Sequence, residues 1–525
     1  MTLRLLRNLS FTFLSSLLLV LSFPSFNLGY LAWIGLVPLM VAISDKSVRC
    51  GFLLSLICGM LFFMGIFHWI LKVPDYTLLH HLILALYLGS YFAFFGLAFT
   101  FISKHLGTTS ALFAAPFIWV SFEYIRSNFS FLALPWGLLA HSQYQYLPII
   151  QIASLAGTYS ISFLIVLINS ALAAMIYYYV YRLEKQKPPS LKCPSKKGKM
   201  AMVSTAILLI ALTLLYGHMT ISQPIIGEKF KVSAVQGNIE QAKKWDQKYA
   251  SEIMQIYADL TQEASKDQPA LIIWPETATP GSINRDTRLR IKVMDIVRKS
   301  GTYLLLGSSQ HQKFEKKEGN EFNYLNSAFL ASPDPKKVMN QQYDKIRLLP
   351  FGEYLPLRGF IPWSYIQVPN ISQYASGKEF TIFELPPCRL GVTICWEDIF
   401  PDLFRQFVQR GAQFMVNITN EAWFGKTAAP YQFVSMAVFR AVENRVFLVR
   451  CANTGITCII DPYGRIVQKV LDAKGQDIFV RGVLSGWVIP LECRTLYTRY
   501  GDIMGWLAPA VSAVFLFIAW QHKRG

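Results

Sequence analysis

The sequence is poor in histidine, poor in acids and without cysteine pairs in metal-binding or redox spacing. Its 525 residues contain 8 His, and only His311, in the polar turn HQKFEKKEGN, lies well inside the long polar segment that begins near residue 219. No Ser-His or Cys-His pair can therefore be built around a local motif, nor a His-rich metal site. The 8 cysteines (Cys50, Cys58, Cys193, Cys388, Cys395, Cys451, Cys458 and Cys493) include no C-x-x-C, which removes the zinc-knuckle and thioredoxin-like readings. A G-x-S-x-G elbow and a phosphate-binding glycine loop are also missing. Charged residues make up only 16% of the chain against 53% hydrophobic, a balance that points to a membrane protein.

What charge there is lies unevenly. The formal net charge is +18, from 50 Lys+Arg and 32 Asp+Glu. Residues 1–219 carry 14 Lys/Arg and 4 Asp/Glu, and Lys523 and Arg524 add two more, so 10 + 2 = 12 of the 18 excess charges flank apolar runs. Such an arrangement is explained by membrane orientation and argues against a nucleic-acid partner. Apolar spans are expected at the basic N-terminus and at about Leu28–Ile43, Gly51–Leu71, Leu78–Ser103, Thr108–Ile125, Leu155–Tyr181, Met200–Tyr216 and Met504–Trp520, eight in all. Leu132–Ile150 is apolar but interrupted by Pro135, Gly137 and Pro148, and reads as re-entrant or interfacial. An N-terminus inside puts 14 basic residues on the inner side and only Lys72 and Arg126 in short outer loops. This predicts a seven-helix domain over 1–218, an extracytoplasmic domain over 219–500, and an eighth helix with a cytoplasmic tail over 501–525.

The outer segment has the pattern of an α/β domain. Lys231–Gly237, Ala270–Glu276, Thr302–Ser309, Asn326–Ala331, Leu390–Cys395, Phe414–Thr419 and Phe447–Cys451 read as buried strands. Helical stretches are expected at Gln241–Lys266, Arg285–Lys299, Leu403–Arg410 and Gln432–Asn444. In LGVTICWED the apolar alternation ends at Cys395, followed at once by Trp396, Glu397 and Asp398. Taken alone, Cys395 reads as a core cysteine, since free Cys is among the most buried residue types. Two other segments change that reading. Glu276 ends LIIWPE, where Pro275 stops the strand, and Lys345 sits in YDKIRLLPFGEY with Glu353 eight residues on. A carboxylate that takes a thiol proton, an ammonium that lowers the thiol pKa and holds an oxyanion, and a thiol nucleophile are the parts acyl chemistry needs.

At these motifs the chain resembles the apolipoprotein N-acyltransferases, membrane enzymes with a nitrilase-type (carbon–nitrogen hydrolase) domain. The matching stretches are VQGNIEQAKKWD, LIIWPET, YDKIRLLPFGEYLP, GVTICWED, NITNEAWFG and RAVENRVFLVRCANTGIT, in that order. The resemblance implies a multi-span helical membrane domain joined to an α-β-β-α sandwich. It implies Glu276 as general base, Lys345 as the oxyanion lysine and Cys395 as nucleophile, with Glu353 orienting Lys345. Trp396 and Glu397 would support the site and Trp245 would meet substrate; Trp363, in the apolar stretch after Glu353, is a further candidate for substrate contact on its own sequence context. Trp396 stands where the family often has Tyr, and Glu421 where NDAWFG would have Asp. The implied activity is transfer of an acyl chain from a phospholipid, through a Cys395 thioester, to the α-amino group of the S-diacylglyceryl cysteine of an apolipoprotein. This is the last step of bacterial lipoprotein maturation. Neither metal nor cofactor is implied, and a monomer in the bacterial cytoplasmic (inner) membrane is expected, its catalytic domain on the periplasmic side.

Two rival readings are a membrane-anchored amidase or nitrilase acting on small soluble amides, and a non-catalytic receptor or transporter with a vestigial triad. One further stretch, Tyr354–Ile371, is apolar apart from Arg358 and broken by Pro356, Pro362 and Pro369. It reads as a lid that dips into the outer leaflet, with Trp363 and Tyr365 at headgroup level.

Overall fold

The computed structural model describes residues 2–44, 46–183, 196–316, 319–335, 337, 339, 341–357, 374–492 and 494–524. The expected lid runs from Tyr354 to Ile371, and all of it beyond Leu357, Trp363 included, lies outside the described residues. The chain divides into two compact units, one of Met1–Gln223 with Tyr500–Gly525, the other of Pro224–Arg499.

The first unit is helical. Among the described residues six helices are long and apolar enough to cross a membrane: Arg4–Leu21, Val48–Ile66, Leu78–Leu106, Tyr159–Tyr179, Lys197–Ile221 and Ile503–Arg524. Two of the eight expected spans differ. Thr108–Asn128 is a 21-residue helix but carries Glu123 and Arg126. The stretch from 28 to 43 is broken into Gly29–Leu31, Ala32–Gly35 and Val37–Ile43. At that break the Asn169 side-chain oxygen accepts from the Leu36 and Val37 N–H groups at 2.8 and 3.1 Å, replacing helical partners.

Small residues let helices approach. A Cβ at Gly96 would lie 2.1 Å from Ser55 Oγ and 2.5 Å from Gly51 O, so Leu78–Leu106 and Val48–Ile66 meet backbone to backbone there. The irregular stretch around Leu132–Ile150 leaves main-chain groups that helix bonds cannot satisfy, and the two buried charges of Thr108–Asn128 supply partners. Arg126 donates to Leu134 O and Trp136 O at 2.9 and 2.5 Å, and Glu123 Oε1 accepts from Leu139 N at 2.9 Å. These two ionisable groups are thereby used in holding the fold.

The second unit is an α-β-β-α sandwich. Its strands are β1 (Phe230–Gln236), β2 (Leu271–Ile273), β3 (Tyr303–Lys316), β4 (Gly319–Ala331), β5 (Gln341–Asp344), β6 (Ile382–Leu385), β7 (Cys388–Ile394), β8 (Phe414–Thr419), β9 (Leu448–Ala452), β10 (Cys458–Ile460), β11 (Ile466–Lys469) and β12 (Gly482–Val488). They form two six-stranded sheets, ordered β12-β1-β2-β3-β4-β5 and β11-β10-β9-β8-β7-β6. In each sheet three strands run parallel (β1, β2, β3 and β7, β8, β9) and the flanking pairs are antiparallel.

One outer layer follows from helix periodicity. Ile253, Tyr257, Leu260 and Ala264 of helix Ala250–Ser265, and Leu289, Val293 and Val297 of helix Thr287–Ser300, pack on Val235, Ile272, Leu304, Leu306 and Phe329 of the first sheet. Each such fully buried aliphatic side chain contributes about 1.5–3 kcal/mol. Between the sheets, Cys451 Sγ of β9 reaches Val235 O of β1 and Ile273 O of β2 at 3.4 and 3.3 Å. Helices Pro401–Gln409 and Ala429–Asn444 belong to the second half, and the latter is buried along nearly its whole length.

Candidate active site

Three chain segments converge at strand ends, those of the parallel strands β2 and β7 and of the antiparallel strand β5, and each does so for a local reason. Glu276 follows β2, where Trp274 N still bonds to Leu305 O at 2.8 Å before Pro275 ends the ladder. Thr277 then takes a φ of +43°, and the turn passes so close to β3 that a Cβ at Gly307 would lie 2.6 Å from Pro275 O and from Thr277 N. Lys345 follows β5; its N–H donates to Asn326 O at 2.9 Å and its carbonyl accepts from Gly377 N at 2.8 Å. Cys395 follows β7 with a φ of +57°, a left-handed conformation that costs a non-glycine residue of order 1–3 kcal/mol and aims the side chain off the strand.

The side chains form one hydrogen-bonded set. Glu276 Oε1 accepts from Asn326 Nδ2 at 2.7 Å and Oε2 accepts from Asn420 N at 2.7 Å. Lys345 Nζ donates to Glu353 Oε1 at 2.8 Å and lies 3.8 Å from Glu276 Oε1. Asn326 Nδ2 also reaches Glu353 Oε1 at 3.2 Å, so one amide bridges both acids around the lysine. Glu353 is itself fixed by the Leu349 N–H, 2.7 Å from Oε2. Lys345 is 1% exposed and Glu276 7%.

Burial disfavours the charge on Lys345, yet Glu353, Cys395 and Glu276 together outweigh it and hold its pKa above the usual lysine value. Cys395 is partly exposed. Burial and then the Glu276 carboxylate push its thiol well above the ordinary range, and Lys345 only partly offsets them. The sequence reading had the ammonium lowering the thiol pKa; here desolvation dominates and the net direction is upward.

The supporting residues expected from sequence serve mainly to join segments. Glu397 is fully buried; its Oε1 accepts from Ile346 N (2.7 Å) and Arg347 N (2.9 Å), and its Oε2 from Ile394 N (2.8 Å). It therefore ties the lysine loop to the end of β7. Burial pushes its carboxyl up to about 7, with the Arg347 and Ile394 N–H groups pulling the other way. Trp396 Nε1 donates to Arg347 O at 2.6 Å, a second tie between the same two segments. Trp245 is 48% exposed at the end of the short helix Gln241–Lys244. Glu421 is fully buried and paired with Arg450, and its extra methylene is accommodated because position 455 is glycine, where a Cβ would lie 1.7 Å from Glu421 Oε2.

Sequence reasoning assigned no role to Asn326, Asn420 or Lys244. Asn326 opened a predicted strand and Asn420 lay within NITNEAWFG, but only tertiary pairing brings either to Glu276. Among the described residues no three His, Cys, Asp or Glu side chains are grouped to hold a metal ion.

A two-sheet sandwich with carboxylate, ammonium and thiol gathered at its strand ends is a carbon–nitrogen hydrolase fold, and that family's model matches residues 231–483. A second model, the apolipoprotein N-acyltransferase N-terminal domain, matches residues 15–171. The chain is 37% identical over 517 residues to apolipoprotein N-acyltransferase of Geobacter metallireducens, covering 97% of this chain and 95% of that one. It is 31% identical over 541 residues to the enzyme of the same name from Chlorobaculum tepidum, covering 97% and 96%. An amidase from Nesterenkonia sp. aligns in structure with a TM-score of 0.35 and 17% identity, covering 51% of this chain and 93% of the amidase. The chain is a membrane protein and belongs to the apolipoprotein N-acyltransferase family.

Proposed function

We propose that this chain N-acylates the terminal S-diacylglyceryl cysteine of apolipoproteins, with a membrane phospholipid as acyl donor and Cys395 as the carrier. The observation that carries the mechanism is the hydrogen-bonded Glu276–Asn326–Glu353–Lys345 set, whose acids and lysine act on the Cys395 thiol. Glu276 takes the thiol proton as Sγ attacks the ester carbonyl, and a C–S bond forms. The Lys345 ammonium faces the negative charge that develops on the carbonyl oxygen. When the C–O bond breaks, Glu276 returns the proton to the leaving alkoxide and lysophospholipid departs. In the second half, the neutral α-amine attacks the thioester, a C–N bond forms, Glu276 takes the amine proton, and the C–S bond breaks. Glu276 then reprotonates the thiolate, which restores the resting enzyme.

Glu353 and Asn326 keep Lys345 and Glu276 from collapsing into a closed ion pair. At 3.8 Å the lysine–Glu276 contact is long, whereas the lysine–Glu353 bond is 2.8 Å, so Glu276 stays available as a base. The charge asymmetry of the apolar spans supports residues 219–500 on the periplasmic side of the inner membrane, where lipid-anchored donor and acceptor meet. Trp245 and Trp363 are assigned to substrate contact, and the protein to the monomeric state. The test is to incubate the full-length protein with acyl-labelled phospholipid and analyse it by intact mass and hydroxylamine sensitivity. A thioester on Cys395 that is discharged by a diacylglyceryl peptide is expected. Hydrolysis of small amides with no lipid-derived adduct would replace this reading by the amidase.

A further inference from the structure

The sequence KKWD places two lysines side by side, and the fold treats them oppositely. The expected helix over Gln241–Lys266 is interrupted: Gln241–Lys244 is one turn, Gln247–Tyr249 a second, and the long helix starts only at Ala250. At the break Lys243 points outward and pairs with Glu240 at 3.5 Å. Lys244 turns inward, is 4% exposed, and donates from Nζ to the main-chain carbonyl of Glu276 at 2.9 Å. Among the described residues it forms no ion pair. The acids near it are already engaged: Glu276 by Asn326 and Asn420, and Glu353 by Lys345. A buried ammonium without a carboxylate partner costs stability, and among the described residues the Glu276 carbonyl is the one hydrogen-bond partner of Lys244 Nζ, an arrangement that marks a candidate functional cation.

Charge balance gives it work to do. Glu276 and Glu353 share one ammonium, Lys345. When Cys395 passes its proton to Glu276 the net charge of the site is unchanged, and one negative charge moves from the carboxylate to the sulfur, both of which face Lys244. We propose that Lys244 is a positioning residue of the thioester-forming site, whose ammonium fixes the main chain carrying Glu276 and faces the negative charge as it passes from Glu276 to Cys395. The proposal rests on the assignment of Glu276 and Cys395 made above. No proton moves to or from Lys244 in this step; the thiol proton goes to Glu276.

Burial lowers the Lys244 pKa to about 8, partly opposed by Glu276 and Cys395, the two titratable groups that face it; Lys345 and Glu353 lie beyond Glu276. The charged form is therefore present below about pH 8 and lost above it. Cys395 and Lys345 are both pushed well above that range, and Glu397 and Asp398 stand at about 7.

The experiment measures single-turnover thioester formation on the full-length protein in phospholipid micelles, from pH about 6 to 10. Wild type is expected to slow as pH rises through about 8. Lys244→Met is expected to be at least about tenfold slower at neutral pH, with the fall near pH 8 gone, because the main chain carrying Glu276 loses its charge-assisted hydrogen bond. Lys244→Arg, which stays charged, should restore part of the rate and carry the alkaline fall to higher pH. Lys244→Met should melt no lower than wild type, since it removes a buried unpaired charge. An adduct rate and pH profile unchanged in Lys244→Met would overturn the proposal, as would a slow variant that also melts lower, which would make Lys244 a structural prop. If wild type forms no adduct at all, the underlying assignment of Cys395 fails instead, and that outcome is distinct from the others.

Discussion

Both carboxylate oxygens of Glu397 lie 2.9 Å from the Tyr343 hydroxyl. Tyr343 is two residues before Lys345 and Glu397 two residues after Cys395, so this buried contact fixes the lysine and the thiol relative to each other. Tyr343→Phe removes the donor and leaves the carboxylate under-satisfied, which costs about 1–3 kcal/mol. It should lower the melting temperature and slow adduct formation several-fold. Glu397→Gln should do more, because an amide cannot accept at both ends from the Ile346, Arg347 and Ile394 N–H groups. Melting curves and adduct rates measured together check this; an unchanged Tyr343→Phe on both counts would show that the contact does not position the site.

The proposed roles of Cys395, Glu276 and Glu353 separate by their effect on adduct formation. Cys395→Ala and Cys395→Ser should abolish the acyl adduct while the protein folds and inserts. Glu276→Gln should block adduct formation as well, because burial keeps the thiol protonated and nothing else in the set accepts its proton. Glu353→Gln should lower the rate without moving the adduct from Cys395, since its part is to hold Lys345 at 2.8 Å. Mass mapping of the acylated peptide distinguishes these outcomes. Wild-type acylation in Glu276→Gln would mean that the base has been misassigned.

The parallel strands and the three chemical groups were legible because each is a local pattern: an apolar run, then a proline, an acid or a cysteine. Less legible were β5, β6, β10 and β11, strands of only three or four residues, and β12, whose partner β1 lies far away in sequence. Glu276 illustrates the limit within the site. Its strand-end position follows from LIIWPE, but its hydrogen bonds come from Asn326, 50 residues on, and Asn420, 144 residues on. Lys244 was hidden for another reason. Helical periodicity runs through Gln241–Lys266, and the break that turns Lys244 inward is set by tertiary packing. Likewise the span expected at Leu28–Ile43 is divided where Asn169, more than 130 residues away, takes over the main-chain donors.

The orientation of the second unit has its own test. Lys474 is exposed in a turn whose Asp472 accepts from the Lys474 and Gln476 N–H groups at 2.8 Å, so a substitution there leaves the turn intact. Lys474→Cys should react with a membrane-impermeant thiol reagent in intact spheroplasts, above the background of the native thiols. Reaction only after lysis would place residues 219–500 in the cytoplasm and leave an external lipoprotein acceptor out of reach.

The acid after Glu397 sets a pH dependence of stability. Asp398 is fully buried, and among the described residues neither of its carboxylate oxygens has a hydrogen-bond partner. Burial pushes its carboxyl up to about 7; Arg450 and Arg440 pull it down, while Glu421 and Glu397 push it further up. In the unfolded chain the group titrates near 3.9. Between about pH 4 and 7 the folded state therefore binds more protons than the unfolded state, and stability falls as pH rises through that window, then levels off. Glu397 acts in the same direction over nearly the same window. Asp398→Asn cannot ionise, so it should flatten the fall without abolishing it, the remainder belonging to Glu397. Melting temperatures of the full-length protein and of Asp398→Asn from pH about 5 to 8 measure the two slopes. Identical slopes would mean that Asp398 is ionised throughout, held by the charges of Arg450 and Arg440 more strongly than burial opposes it.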